Sequence, residues 1–400
     1  SDGTVIRVAS RRGLGIKEGL TVTVALDTRA GGEPDGAYVI APPTTTEKVF
    51  DWLRSNWPLG IPVLVFFGMY RIWARFGRDP ERRSVAPHYE PPKGLTVSEA
   101  GTLIDGRPDM RDVTAMIVDL AVRGYVKIHQ EEGKTFLGFE VSGPEYSFEL
   151  LRGRKAWGEL SAHEVKLLEA LFSGYAGDTV TTSDLKNSFY EDLPDIKAAL
   201  WDALIEHGFY RTRPDHVRGG WLVAAAVIGL GGFAVGMGLS EAMGMSRVAT
   251  GSAAVLSAVI VGAFGIVMPK RTRKGARAQE EVLGFEEFLA RVESDRFRRM
   301  ITGPEMFERF LPFAMAFGVE ETWARAFADI YREQEPVWYV GQPGTRFHAA
   351  GLTNDLSGMA SSTASAMQSA PRGSGGSGFS GGGGGGFSGG GFGGGGGGAF

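Results

Sequence analysis

Two uncharged apolar runs, separated by only eight residues, constrain this chain more than any other feature of its sequence. Residues 221–239 are apolar or glycine throughout, residues 248–268 carry no charge, and 240–247 is the whole of the link between them. Each run has the roughly 20 residues that a helix needs to cross about 30 Å of hydrocarbon. Two such helices in tandem are hard to hide in a water-soluble core, and they read as a membrane hairpin. A third run, 56–70, is shorter and contains Pro58 and Pro62, which a helix tolerates near its first turn. Trp52, Trp57, Tyr70 and Trp73 flank it like an aromatic belt at headgroup depth. Extension to 53–73 supplies the missing length.

Charge gives all three runs one topology. Arg71, Arg75, Arg78, Arg82 and Arg83 follow the first; Arg211, Arg213 and Arg218 precede the second; Lys270, Arg271, Arg273, Lys274 and Arg277 follow the third. The link 240–247 holds only Glu241 and Arg247. Positive charge is retained on the cytoplasmic side. Residues 1–50 are therefore expected outside the cell membrane, 74–218 in the cytoplasm, the link outside, and 270–400 in the cytoplasm. The basic run 270–277 is expected to anchor the hairpin, a role that overlaps with attraction to anionic headgroups. The chain opens Ser1-Asp2-Gly3 with no apolar leader, so an exported N-terminus implies one removed by processing or truncation.

Composition narrows the function classes. The 400 residues include 60 glycines and no cysteine, and the net charge is −4. A mean hydropathy of −0.06 hides the cancellation of apolar spans against polar segments. Without cysteine there is no disulfide scaffold, Cys-ligated zinc, iron–sulfur cluster or thiol catalysis. Mild acidity excludes a globally basic protein that coats nucleic acid.

Outside the spans, residues 4–9 and 20–27 alternate as strands, with Val5, Val22, Val24 and Leu26 available for a buried face. Gly31-Gly32 and Pro42-Pro43 break the pattern. Fewer than 50 residues fall well short of the roughly 100 of a β-sandwich. Residues 1–48 therefore read as the end of a larger exported β-domain.

The region 84–215 reads as an α+β cytosolic domain. Asp109 and Asp112 form a capping-box-like pair before a helix using Val113, Met116, Ile117 and Leu120. Gly124 stops that helix, 125–128 starts a strand, and Gly133-Lys134 is expected to turn it into 135–141. Ser161 then caps a helix with Val165, Leu167, Leu168, Leu171 and Phe172; 179–182 is strand-like, and Ser183 is expected to start another helix. Asp192 and Asp195 precede Ile196, Ala199, Leu200 and Leu204, with Gly208 ending the helix before an aromatic strand at 209–212. Helix, glycine, aromatic strand, twice: the punctuation of two winged-helix-like units. Winged helices suggest DNA, but residues 85–215 hold 22 Asp and Glu against 14 Lys and Arg. The candidate recognition helices carry Asp109, Asp112 and Asp119, or Asp192, Asp195, Asp202 and Glu206. Phosphate binding needs a local cationic face, so charge favours docking of a protein over nucleic acid.

Beyond the hairpin, 279–340 reads as a cytosolic helical region. Val282, Phe285, Phe288, Leu289 and Val292 form one stripe, and Phe307, Phe310, Leu311, Ala314 and Phe317 another, followed by Trp323, Phe327 and Ile330. A helical bundle packed near the membrane is the simpler expectation, a partner-binding groove the other. From 357 the hydrophobic periodicity fades, and from 373 the chain is nearly all glycine with Phe379, Phe387, Phe392 and Phe400. Glycine has the most backbone entropy to lose, so 357–400 is expected to be a disordered Gly-rich tail.

A set of short motifs carries a family likeness. Gly77-Arg78-Asp79-Pro80, Tyr89-Glu90-Pro91-Pro92 with Gly94-Leu95, Ser98-Glu99-Ala100-Gly101 and Leu103-Ile104-Asp105-Gly106-Arg107 are its first members. Asp112-Val113-Thr114-Ala115, Asp119-Leu120-Ala121-Val122-Arg123-Gly124-Tyr125, Phe307-Glu308-Arg309-Phe310-Leu311-Pro312 and Phe317-Gly318-Val319-Glu320 follow. Together with the glycine tail, they resemble the YciQ-like family of predicted bacterial membrane proteins, a domain of unknown function. The resemblance runs over residues 1–400. It implies an exported β-domain, a cytosolic region and a membrane hairpin, and it supplies no catalytic residue. The short N-terminus is the departure, and it leaves the exported domain's ligand open.

Catalytic patterns fail on inspection. Gly133-Lys134-Thr135 mimics the end of a P-loop, but Ile128 stands where the first glycine is required, and Glu131 and Glu132 repel phosphate. Gly229-Leu230-Gly231-Gly232 resembles a dinucleotide fingerprint inside an apolar span, where Gly232 and Gly236 suit close helix packing. Gly378-Phe379-Ser380-Gly381-Gly382 matches a hydrolase elbow only through its glycines. His88, His129, His163, His207, His216 and His348 lack metal spacing, and His163-Glu164 lacks the second histidine of a metalloprotease helix. Asp105, Asp109 and Asp112 are explained by capping and turns. No ionisable group interrupts the apolar cores of the spans, which argues against an ion pathway.

The sequence thus describes a multidomain, multi-pass membrane protein with three transmembrane helices. Its expected function is a non-enzymatic scaffold, sensor or assembly factor, without catalytic, cofactor or metal residues. A membrane-tethered DNA-binding regulator is the alternative. Expected partners are the lipid bilayer, a protein at the cytosolic domain, and a second copy through the glycine faces of the hairpin.

Overall fold

The computed structural model describes residues 43–80, 85–131, 135–136, 139–140, 144–172, 178–291, 303–327, 336–342 and 349–371. The strands expected within 1–42, Val292, Ile330 and the glycine-rich end from 373 lie outside these residues. The chain divides into two units after Asn56. In the first, α1 (Thr45–Asn56) buries none of its residues.

In the second unit, a 3₁₀ turn at Trp57–Gly60 leads into α2 (Ile61–Ile72), which ends in a π-turn at Trp73–Gly77. Then follow α3 (Val97–Asp105), α4 (Met110–Val122), β1 (Val126–Glu131), β2 (Thr135–Phe136), β3 (Phe139–Glu140), β4 (Glu145–Leu150), α5 (Ala162–Phe172), β5 (Thr179–Thr181) and α6 (Leu193–Glu206). The hairpin is α7 (Pro214–Ser240) and α8 (Arg247–Ile266). The chain continues through α9 (Arg273–Ala290), α10 (Pro304–Phe317), α11 (Glu320–Phe327), β6 (Tyr339–Val340) and α12 (Ala349–Gln368).

Three helical stretches, Thr45–Gly77, Pro214–Ser240 and Arg247–Ile266, are long and apolar enough to cross a membrane. Large apolar side chains such as Leu64, Leu230 and Val248 point outward from them, each more than 70% exposed. Water would penalise such a surface, and bilayer hydrocarbon covers it without that penalty. Between α7 and α8 the packing rests on glycine. A Cβ on Gly229 would come within 2.9 Å of the Ala258 Cβ, and one on Gly232 within 3.7 Å of the Ala254 Cβ. Gly236 lies against Thr250 and Gly265 against Trp221 in the same way. Gly229, Gly232 and Gly236 thus serve the packing of α7 on α8.

The rest of the unit has one apolar core, built from residues of both expected winged-helix-like segments and of the C-terminal region. Its sheet has the order β5-β4-β1-β6. The expected turn at Gly133-Lys134 lies outside the described residues. The partner of β1 is β4, in antiparallel register from Val126↔Leu150 to Glu131↔Glu145, and β2 pairs with β3 as a separate ladder. The pair Ile128↔Phe148 explains the choice, since both side chains are fully buried. The helix expected from Ser183 is replaced by turns over 182–188, where Asn187 takes a left-handed φ of 62°. The strand expected at 209–212 is a single bridge, Tyr210↔Arg271, because α7 begins at Pro214.

The aromatic stripes of the C-terminal region bury one another. Phe285 stands edge-on to Phe310 at 5.1 Å and to Phe313 at 5.6 Å, while Trp323 lies 4.8 Å from Phe327. They form the packed bundle rather than an open groove. The tail also starts later than expected from 357. α12 runs to Gln368 and buries Leu352, Leu356, Met359, Thr363 and Met367, a face spaced by threes and fours that small neighbouring residues obscure in the sequence.

Candidate functional site at the membrane-proximal junction

The ends of the first and third spans meet the domain at one arginine. Gly77 closes the π-turn because a Cβ there would lie 2.8 Å from both the Met268 Sδ and the Trp73 ring. The close approach brings Asp79 to the segment after α8. The Asp79 carboxylate accepts from the Arg271 backbone N–H at 2.8 Å and from its Nη1 at 3.1 Å. Arg271 Nη2 donates to the Leu103 and Ile104 carbonyls at 3.0 and 3.4 Å. Those carbonyls belong to the last turn of α3, where no intrahelical donor remains. Gln279 Nε2 donates to the same pair at 3.2 and 3.1 Å. A cation at a helix C-terminus is also favoured by the helix dipole.

Glycine fixes the approach here. Gly106 ends α3 with φ +66°, a left-handed cap that glycine adopts without strain. A Cβ at this position would sit 3.3 Å from Arg271 Nη2. Arg218, at the start of the second span, donates from Nη2 to the Gly106 carbonyl at 3.3 Å. The Tyr210 ring lies under the Arg271 guanidinium at 5.9 Å and is held edge-on by Trp201. Burial pushes the Tyr210 phenol above its ordinary pKa.

The C-terminus of α6 is fastened to the same segment. Thr272 donates its backbone N–H to the Phe209 carbonyl at 2.9 Å and its hydroxyl to the Gly208 carbonyl at 2.6 Å. The same Thr272 oxygen accepts from Gly275 N–H and caps α9. Residues 271–279 therefore terminate two domain helices while joining them to the end of span three. Asp79 and Arg218 bring in the other two spans.

A second polar cluster lies where α3 and α5 begin. Thr96 with Glu99 forms a capping box, and Glu164 accepts from Ser161 N–H at 2.7 Å as expected for the start of α5. His163 is completely buried between them, its Nε2 3.1 Å from the Thr96 hydroxyl. Burial pushes the imidazole pKa down, against the Glu99 and Glu164 charges. Glu164 also accepts from Arg123 Nη1 at 2.5 Å, and Arg123 holds Asp119 at 2.9 Å. Burial pushes the Asp119 carboxyl up to about 6, with Arg123 opposing.

Asp109 and Asp112 form the expected capping box of α4. Asp112 is fully buried, accepts from Thr102 at 2.9 Å, and has its pKa raised mainly by burial. Asp105 is not among its hydrogen-bonding partners. Among the described residues, no group of three His, Asp or Glu is placed to hold a metal. The junction was overlooked in the sequence because its acceptors are main-chain carbonyls. One signal was present: Asp79, with Glu81, stands in a run otherwise rich in arginine at Arg71, Arg75, Arg78, Arg82 and Arg83.

Three apolar helices fastened by hydrogen bonds to a mixed α and β domain define a multi-pass membrane protein with a large extramembrane part. Residues 85–327 match the C-terminal domain of the predicted membrane protein family DUF2207, and the chain belongs to that family, whose function is unknown. No curated protein and no solved structure matches the chain.

Proposed function

We propose that this is a non-enzymatic coupling protein, a scaffold, sensor or assembly factor that links an exported β-domain to a cytosolic protein-interaction module. The carrying observation is the Arg271 junction. It fastens the end of span one through Asp79 and the last turn of α3 to one side chain, so displacement of a span is transmitted to the domain. The arginines and lysines flanking the spans support an external N-terminus and a cytoplasmic C-terminus. The helix α4 followed by the β1–β4 hairpin is the part that supports a winged-helix-like reading. Its acidity favours a protein partner over DNA.

Proximity labelling in cells tests this, using a biotin ligase fused after residue 400 of the full chain. A reproducible set of protein neighbours is expected, and it is lost in Arg271→Ala while the protein remains in the membrane. Labelling identical to that of an unrelated membrane-anchored ligase overturns the proposal.

A further inference from the structure

We propose that α1 lies along the bilayer surface, as an amphipathic helix docked on zwitterionic phospholipid headgroups at the end of the first span remote from the Arg271 junction. At about 100° per residue, Val49, Phe50, Trp52 and Leu53 share one side of the helix, within an arc of about 160°. Glu47, Lys48, Asp51 and Arg54 occupy the other side. Each of the four apolar residues is more than half exposed, and α1 buries none of its residues.

What covers this apolar side follows from its attachment. The chain runs from α1 directly into a span whose own apolar side chains face hydrocarbon. That span does not need α1 to cross. Trp57–Gly77 alone supplies about 30 Å of length, with Arg71 and Arg75, its only charges, toward the domain end. Continued straight, α1 would carry four charged residues into hydrocarbon, where each is costly, or lift four large apolar side chains as far as about 18 Å into water. Laid flat at the boundary between headgroups and acyl chains, it satisfies both sides at once. The chain permits the change of direction, because Pro58 in the 3₁₀ turn Trp57–Gly60 lacks the N–H that would carry an α-helix through. The polar side selects the lipid. Its two acids and two bases cancel, unlike the arginine run at the other end of the span. Burial of Phe50, Trp52 and Leu53, rather than attraction to anionic headgroups, therefore holds the helix.

The chain has no cysteine, so single cysteines introduced along 45–56 of the full chain can carry spin labels in phosphatidylcholine vesicles. Collisions with oxygen and with a water-soluble nickel complex give the depth of each label. None of these positions is buried, so the labels leave the packed core untouched. Labels at Phe50→Cys and Leu53→Cys are expected about 5–10 Å below the headgroup surface. Labels at Asp51→Cys and Arg54→Cys are expected in water, with no drift in mean depth along the helix. A depth that changes steadily by about 1.5 Å per residue overturns the proposal, since α1 then continues the span. Labels at 50 and 53 shielded from both reagents overturn it too, because protein then covers the face, as do labels on both sides equally open to water. Added phosphatidylglycerol is expected to leave the depths unchanged. Immersion seen only with this anionic lipid refutes docking on zwitterionic headgroups.

Discussion

The membrane hairpin and the domain it carries are packed with opposite residue sets. Between α7 and α8 the contacts are Gly229 on Ala258, Gly232 on Ala254 and Gly265 on Trp221. In the domain they are Phe285 on Phe310 and Trp323 on Phe327. The difference follows from the solvent. In water, a core is stabilised in proportion to the apolar area it removes, about 25 cal/mol per Å², so large aromatic rings are favoured. In lipid, burying apolar area gains nothing over the hydrocarbon outside, and helices associate by close backbone approach.

The comparison predicts opposite sensitivities. Trp323 is completely buried among Phe288, Phe310 and Phe327. Trp323→Ala should therefore have the largest effect, about 3–5 kcal/mol of domain stability, read by thermal unfolding of the detergent-solubilised full chain. Enlargement should be the damaging change in the hairpin. Gly265→Leu would drive a side chain into Trp221, with an overpacking cost of about 1–3 kcal/mol. A hairpin that accepts this leucine without loss of thermal stability would break the comparison.

Between these regions, Arg271 belongs to both. Arg271→Ala should cost about 2–3 kcal/mol, the order expected when buried polar groups lose a partner, with Gln279 still serving the two α3 carbonyls. Arg271→Lys should not restore the loss, because an ammonium cannot reproduce the guanidinium fork that reaches Asp79 and Leu103 together. Protease susceptibility of the segment around 79 and 271 provides the measurement. Equal protection in Lys and Arg forms would show that charge alone holds the junction.

The legible parts of this molecule are those written in contiguous residues. The spans are visible because length and apolarity suffice. The Asp109–Asp112 cap is visible because its two partners stand three residues apart. The parts that escaped depend on distant partners. Arg271 caps carbonyls more than 160 residues away in the chain, and carbonyls carry no sequence signature. β6 joins the free side of β1 in parallel through Ile128↔Tyr339, a pairing that no local pattern encodes. Small residues beside the buried face of α12 gave its periodicity too little weight. The pairing of β1 with β4 escaped for the same reason as that of β6, since Phe148 stands opposite Ile128 from beyond the intervening β2–β3 ladder.

The smallest effect concerns the cluster at the starts of α3 and α5, where two buried groups oppose each other in pH. His163 has a lowered pKa in the folded chain, so the unfolded chain binds the proton more readily. Its contribution is fully present above the ordinary imidazole value of about 6.5 and is lost as pH falls below it. Asp119 behaves in the reverse sense. Its folded pKa is raised to about 6, so its contribution is present below the ordinary carboxylate value near 4 and is lost as pH rises through 6. Between about pH 4 and 6.5 the two slopes offset each other in the wild type. His163→Gln should cost about 1 kcal/mol at neutral pH, the order of one hydrogen bond, and leave a stability that increases on acidification toward pH 4. Relative to the wild type, Asp119→Asn should change the slope in the opposite sense, toward stability falling as the solution is acidified below about 6.5. Denaturant titrations across this range separate the two. Identical pH profiles for both variants would show that neither group titrates on unfolding, and that the cluster is held by its capping bonds alone.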